Sequence, residues 1–252
     1  MQNISTESFT STNIFEGGEL IGYIKGPRIF FYEDFNSKLS SKIIRLLFDH
    51  HITEIEFDTY GKFNKSIDNL PDHIRVLILS KKFNKPINKL PAQLEHLELE
   101  DRYNHPLDNL PLNLKFLRTG NSFDHPLDFL PFGLEKLFVG RDFSYPLLNL
   151  SQSLKILSID SDIKPSYLDN LPDSIEELEF KYKNHIRMSK LPGSIKKIYY
   201  YFEFDDGDGW NTDDFNSLNM EFERKEIALS DVLLMNSELE EDYKKLIIKL
   251  VE

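Results

Sequence analysis

Cysteine is absent from the 252 residues, and tryptophan occurs once. Without thiols there is no disulfide framework, no thiolate zinc site and no cysteine nucleophile, which fits a reducing compartment. Basic residues are in deficit: 30 Lys and Arg stand against 42 Asp and Glu, a formal net charge of −12. A surface that tracks nucleic-acid phosphates needs the opposite sign, so nucleic acid is not an expected partner. No apolar run is long enough to span a bilayer, so no membrane partner is expected. The opening MQNISTESFTSTNIFEGGEL has neither a basic start nor a signal-length apolar core, which points to the cytoplasm. A Walker glycine loop, a G-x-S-x-G elbow, an H-E-x-x-H pair and a G-x-G-x-x-G stretch are all missing. The chain therefore reads as a non-enzyme, with no catalytic residue and no cofactor.

What is present is a period. Leu-Pro stands at Leu70-Pro71, Leu90-Pro91, Leu110-Pro111 and Leu130-Pro131, and Leu150-Ser151 keeps the 20-residue beat without its proline. Leu171-Pro172 follows after 21 residues and Leu191-Pro192 after 20. After each pair comes an LxxLxL-like run: Ile74-Leu77-Leu79, Leu94-Leu97-Leu99, Leu114-Leu117-Thr119, Leu134-Leu137-Val139, Leu154-Leu157-Ile159, Ile175-Leu178-Phe180 and Ile195-Ile198-Tyr200, with Ile52-Ile55-Phe57 ahead of them. The last two apolar positions of each run are two apart, the spacing of one strand face. Strands one period apart stack as parallel neighbours about 4.8 Å apart, so eight of them make a sheet roughly 34 Å wide.

The return segments repeat too. Phe63, Phe83, Tyr103, Phe123 and Phe143 share one phase, each followed by a polar residue suited to bonding a turn backbone: Asn64, Asn84, Asn104, Asp124 and Ser144. Among these rings Tyr103 is expected to turn its hydroxyl edge toward water. Pro86, Pro106, Pro126 and Pro146 hold the return extended, and Ile67, Ile87, Leu107, Leu127 and Leu147 point inward after them. The convex side is thus expected to be thin.

Residues 1–51 read as an N-terminal cap, 52–204 as repeats, and 205–252 as an acidic loop with a C-terminal helical cap. In the first, Asn36 or Ser37 is placed to cap a helix bearing Leu39, Ile43, Leu46 and Leu47. Tyr199, Tyr200, Tyr201, Phe202 and Phe204 are expected to close the stack. In the last segment Ser237 and Glu240 form a capping box before a face of Leu239, Tyr243, Leu246, Ile247 and Leu250. The loop DDGDGWNTDD at 205–214 offers oxygen ligands, but Asn211 occupies the place of the EF-hand glycine. His105 and His125 lie one period apart without a carboxylate set, and His50-His51 sits at a junction. All read as polar turn residues, and no metal site is expected.

The run FN-x-P-[IL]-x-x-LP-x-x-L-x-x-L-x-L, carried by Phe83-Asn84 to Leu99 and its neighbours, resembles the FNIP repeat and, more broadly, a short leucine-rich repeat. The resemblance covers about residues 52–200. It implies a fold that is α/β by repeat class but strand-dominated: a leucine-rich-repeat-like solenoid with a curved parallel β-sheet, a mostly irregular convex side and helical caps. FNIP repeats are best known from social amoebae and the giant viruses that infect them, so a viral chain would work in host cytoplasm. Many members add an N-terminal F-box. Residues 1–50 offer one helix after a glycine-rich run, which does not make an F-box.

The function read from this is a protein-protein interaction scaffold, monomeric, that holds a protein partner on its concave sheet. Two alternatives stand beside it: a self-assembling structural protein, and a substrate-recognition subunit of a ubiquitin-ligase-type complex lacking its own F-box. The outward strand positions that carry the reading are Val76, Ile78, His96, Glu98, Phe116, Arg118, Lys136, Phe138 and Ile156. Phe116, Phe138 and Ile156 form an apolar group, and the basic pair Arg118 and Lys136 points to an acidic segment of the partner.

Overall fold

The structure is a computed structural model that describes residues 11–161, 163–168, 170–180, 192–201 and 224–227. One sheet of twelve strands runs through it in chain order. Three antiparallel strands open the sheet: β1 (Thr12–Glu16), β2 (Glu19–Lys25) and β3 (Arg28–Phe31). Helix α1 (Ser41–Asp49) follows, and then the parallel array β4 (Glu54–Phe57), β5 (Val76–Ile78), β6 (His96–Glu98), β7 (Phe116–Arg118), β8 (Lys136–Val139), β9 (Ile156–Ile159), β10 (Glu177–Phe180) and β11 (Lys197–Tyr201). Strand β12 (Arg224–Ile227) returns antiparallel to β11.

The eight parallel strands are those the LxxLxL runs mark, and Glu54, Val76, His96, Phe116, Lys136, Ile156, Glu177 and Lys197 lie side by side, 20 residues apart except for 22 from Glu54 to Val76 and 21 from Ile156 to Glu177. The middle leucine of every run from Leu77 to Leu178 is fully buried. At ~1.5–3 kcal/mol for each buried aliphatic side chain, this column is a large part of what holds the turns together. Thr119 takes an apolar slot at 3% exposure, and its hydroxyl is satisfied by Phe138 O and Gly140 N.

The glycine-rich opening is ordered as strands because Gly17 and Gly18, both at positive φ, supply the two-residue turn between β1 and β2. The helix differs from the expectation. Ser40, rather than Asn36 or Ser37, caps it by accepting from Ile43 N, and Leu39 is buried just ahead of the helix. Asn36 instead accepts from Asn64 N at 3.0 Å, which makes it the first rung of the polar ladder. His51 ends the helix in the left-handed region at φ 52, with Ile52 N bonded to Leu47 O and His51 N to Phe48 O. That is a Schellman closure, in which a histidine stands where glycine is favoured. The junction histidines are therefore structural.

Behind the sheet the rings stack almost parallel. Centroids are 6.1 Å apart for Phe63 and Phe83, 6.0 Å for Phe83 and Tyr103, and 6.3 Å for both Tyr103–Phe123 and Phe123–Phe143, with planes within 9°. Phe35 continues the column at 5.8 Å from Phe63, and Ile163 fills the next slot beyond Phe143. Beside the rings, Asn64 Oδ1 accepts from Asn84 N, Asn84 Oδ1 from Asn104 N, Asn104 Oδ1 from Asp124 N, and Asp124 Oδ1 from Ser144 N. Each turn thereby satisfies an amide of the next. The hydroxyl of Tyr103 does not reach water as expected. The whole residue is at 0% exposure, and its oxygen sits beside the Ile87 backbone without an aligned hydrogen bond. Burial pushes its phenol above the ordinary value.

Among the described residues the return segments of the parallel array hold only a short 3-10 helix, Pro165–Leu168, in the one turn that is 21 residues long. The convex side is thin, as the prolines imply. A second periodic feature lies just before the strands, where Arg75, Glu95, Lys115, Glu135, Lys155, Glu176 and Lys196 alternate in sign from turn to turn. Arg75 and Lys115 flank Glu95 at 3.7 and 3.8 Å, and Lys196 pairs Glu176 at 2.7 Å. Exposed pairs of this kind contribute little stability, about 0–1 kcal/mol each. Their larger effect is on specificity, because a slip of one turn sets like charges opposite one another. The acidic loop at 205–214, the closing residues Phe202 and Phe204 and the helix proposed from Ser237 onward lie outside the described residues.

Three substitutions test this account by chemical denaturation. Phe123→Ala is expected to cost ~3–5 kcal/mol, and a loss below ~1 kcal/mol contradicts a buried ring. Tyr103→Phe removes an unsatisfied buried hydroxyl and is expected to stabilise the fold by about 1 kcal/mol. His51→Gly relieves the left-handed position and is expected to add ~0.5–1 kcal/mol, with a net loss counting against the Schellman assignment.

Candidate interaction face on the concave sheet

Because side chains alternate along a strand, the parallel sheet presents two rows on its open face. One contains Val76, His96, Phe116, Lys136 and Ile156; the other contains Ile78, Glu98, Arg118, Phe138 and Ser158. Neighbours one strand spacing apart cover each other, so most of these residues are half-buried, Lys136 is exposed and Ser158 is buried. The face is therefore drier than a simple in-out alternation suggests.

The structure rearranges the expected apolar group. Phe116 and Phe138 come from different rows and stack diagonally at 5.1 Å, while Ile156 lies beyond Lys136, two strands from Phe116. His96 joins in its place, its ring 3.9 Å from that of Phe116 and within 9° of parallel. Arg118 lies over Phe138 with Cζ 4.6 Å from the ring centre, and 5.9 Å from that of Phe116. The result is a continuous slab of His96, Phe116 and Phe138 with a guanidinium across it.

Glu98 holds the slab from one side. His96 Nε2 donates to its Oε1 at 2.6 Å, and Arg118 Nε lies 3.1 Å from its Oε2, close enough for an ion pair although not aligned as a hydrogen bond. Burial alone raises the Glu98 carboxyl, but the His96 hydrogen bond and the Arg118 charge outweigh it and hold it below the usual carboxylate range. Arg118 and Glu98 were each legible as outward residues. Their pairing follows from the 20-residue register, which sets them directly opposite.

Sequence patterning passes over the row that follows the strands. In successive turns it reads Ser80, Glu100, Gly120, Gly140 and Asp160. A Cβ on Gly120 meets Glu100 O at 1.8 Å, and one on Gly140 meets Gly120 O at 2.1 Å, so neither position admits a side chain. Beside these closely packed backbones lies a recess of about 260 Å³ whose wall includes Glu98, Glu100, Arg118, Phe138 and Asp160. Burial, then the nearby Asp101 and Glu98 charges, raise the Glu100 carboxyl above its ordinary value. Among the described residues no group of three or more His, Asp and Glu is arranged to hold a metal ion, and no helix is long and apolar enough to cross a membrane.

A stack of parallel strands on a 20-residue period, with a curved open face and a thin extended back, defines a leucine-rich-repeat-like solenoid. The family model described as FNIP Repeat matches its central turns, over residues 63–102 and 103–142. A comparison with curated proteins finds no match. Among solved structures, the chain is similar to CroV588, described as a novel circular LRR protein, at 22% sequence identity and a TM-score of 0.44. That alignment covers 70% of this chain and 34% of the other, so the chain spans about a third of its length.

The raised Glu100 carboxyl gives a pH test with a definite sign. A carboxyl whose folded value is raised stabilises the fold below the ordinary carboxylate range and loses that contribution as pH rises through the folded value. Glu100→Gln is therefore expected to raise the melting midpoint at pH 7, with the gain disappearing as the pH falls below the ordinary glutamate range. An unchanged or lowered midpoint at pH 7 contradicts the assignment.

Proposed function

We propose that this chain is a non-enzymatic protein-binding scaffold that holds a partner chain against the concave sheet at His96, Phe116, Arg118 and Phe138. The observation that carries the reading is the aromatic slab. Phe116 and Phe138 are half-exposed side chains on the open face of a rigid array, stacked on each other and crossed by an arginine. Aromatic and arginine side chains carry a large share of binding energy in protein interfaces, and holding them on regular strands lowers the ordering cost of association. FNIP and leucine-rich-repeat solenoids are by class interaction scaffolds rather than catalysts, which supports the same reading.

A second apolar surface sets up the control. Leu112 and Phe132 stand one period apart on the turns that precede β7 and β8, at 82% and 90% exposure. The test is affinity capture of a partner followed by titration with two double variants, Phe116→Ser with Phe138→Ser and Leu112→Ser with Phe132→Ser. The first is expected to weaken binding at least tenfold while the far-ultraviolet circular dichroism stays unchanged, and the second to leave affinity within twofold. The reverse pattern moves the interface to the outer turns.

A further inference from the structure

We propose that the concave face takes a partner segment bearing a lysine or arginine beside an apolar residue, with the cation entering the recess at Glu100 and the apolar group lying on Phe116 and Phe138. The proposal rests on the reading of the concave sheet as the docking face and specifies the chemistry of what docks there. It departs from the acidic segment that Arg118 and Lys136 suggest in the sequence.

Most charges on this face are already paired. Arg118 is engaged by Glu98 at 3.1 Å and lies on the Phe138 ring, so it does not stand ready to select an acid. Asp101 is likewise occupied, by Lys81 at 3.5 Å and by Asn121 Nδ2 at 2.8 Å. Glu100 differs from both: among the described residues its carboxylate makes no hydrogen bond and no ion pair. It is half-buried beside the Asp101 and Glu98 carboxylates, the Lys81 and Arg118 charges near it are already paired with those two acids, and the recess it borders has Arg118 as its one lining cation. An incoming acid meets repulsion there, and an incoming cation meets a carboxylate without a partner.

The recess lies at the C-terminal ends of β6, β7 and β8, where Gly120 and Gly140 let neighbouring backbones close up and form part of its wall. Its volume, about 260 Å³, suits one long side chain. Phe138 forms part of the wall and also belongs to the aromatic slab, so a lysine or arginine entering the gap lays its methylene stem along an aromatic ring. Apolar contact and charge contact are therefore adjacent, at a spacing that neighbouring residues of one extended segment span. The elevated Glu100 carboxyl adds support, since a charge held where it works against folding is typical of a group kept for binding.

The experiment selects from a random ten-residue peptide library displayed on phage against the full chain. Enriched peptides are then titrated by fluorescence anisotropy against the wild type, Glu100→Gln, and the Phe116→Ser, Phe138→Ser pair. Glu100→Gln is nearly isosteric, and its thermal midpoint checks that it is folded. Enrichment of Lys or Arg next to an apolar residue, with binding at least tenfold weaker on Glu100→Gln and lost on the aromatic pair, supports the proposal. Acidic or neutral peptides, or affinity within twofold on Glu100→Gln, overturn the cation assignment while loss on the aromatic pair leaves the docking face standing. Binding retained by both variants overturns both, and enrichment of nothing that the aromatic pair affects also counts against both.

Discussion

Near-parallel stacking of buried rings at one position of five successive turns is the constraint on which the other features depend. Centroid spacings of 6.0 to 6.3 Å from Phe63 to Phe143 exceed the inter-strand distance of about 4.8 Å on the sheet side. A body wider at the back than at the sheet must bend, and the open face becomes concave. The asparagine rungs beside the rings keep that wider side hydrogen-bonded without a helix. The open face of the sheet is thus shaped by residues that never reach it.

The same economy governs the charged surface. With stability supplied by the leucine and ring columns, the outward strand positions are free to carry groups that fold poorly on their own account. Glu98 shows how such a group is kept: it is half-buried and held ionised by His96 and Arg118 from its own and the adjacent strand. Glu100, two residues on, lacks comparable partners and its carboxyl rises instead. Two glutamates two residues apart therefore differ in chemistry because of what the neighbouring turns bring opposite them.

Much of this was legible in the linear chain, because a repeat converts sequence distance into spatial adjacency. Leu70-Pro71 and its successors mark the strand register from Val76 to Lys197 in the linear chain. What escaped lay outside the apolar pattern or before the period starts. Asn36 is 28 residues from Asn64 rather than 20, so its place as the first rung is hidden by the intervening helix. Strand adjacency alone groups Ile156 with Phe116, but Lys136 lies between them in the same row and separates the two. The polar atom of Tyr103 suggests an edge toward water, whereas the residue is fully buried between the rings on both sides.

The alternating charges before the strands bear on how such a chain lengthens. Arg75, Lys115, Lys155 and Lys196 recur every second turn, with Glu95, Glu135 and Glu176 between them. Inserting or deleting a single turn brings two like charges side by side at the joint, while a change of two turns preserves every opposite pair. Duplication within the gene is then least disruptive in units of two turns. Each stretch matched as an FNIP repeat, 63–102 and 103–142, is such a unit.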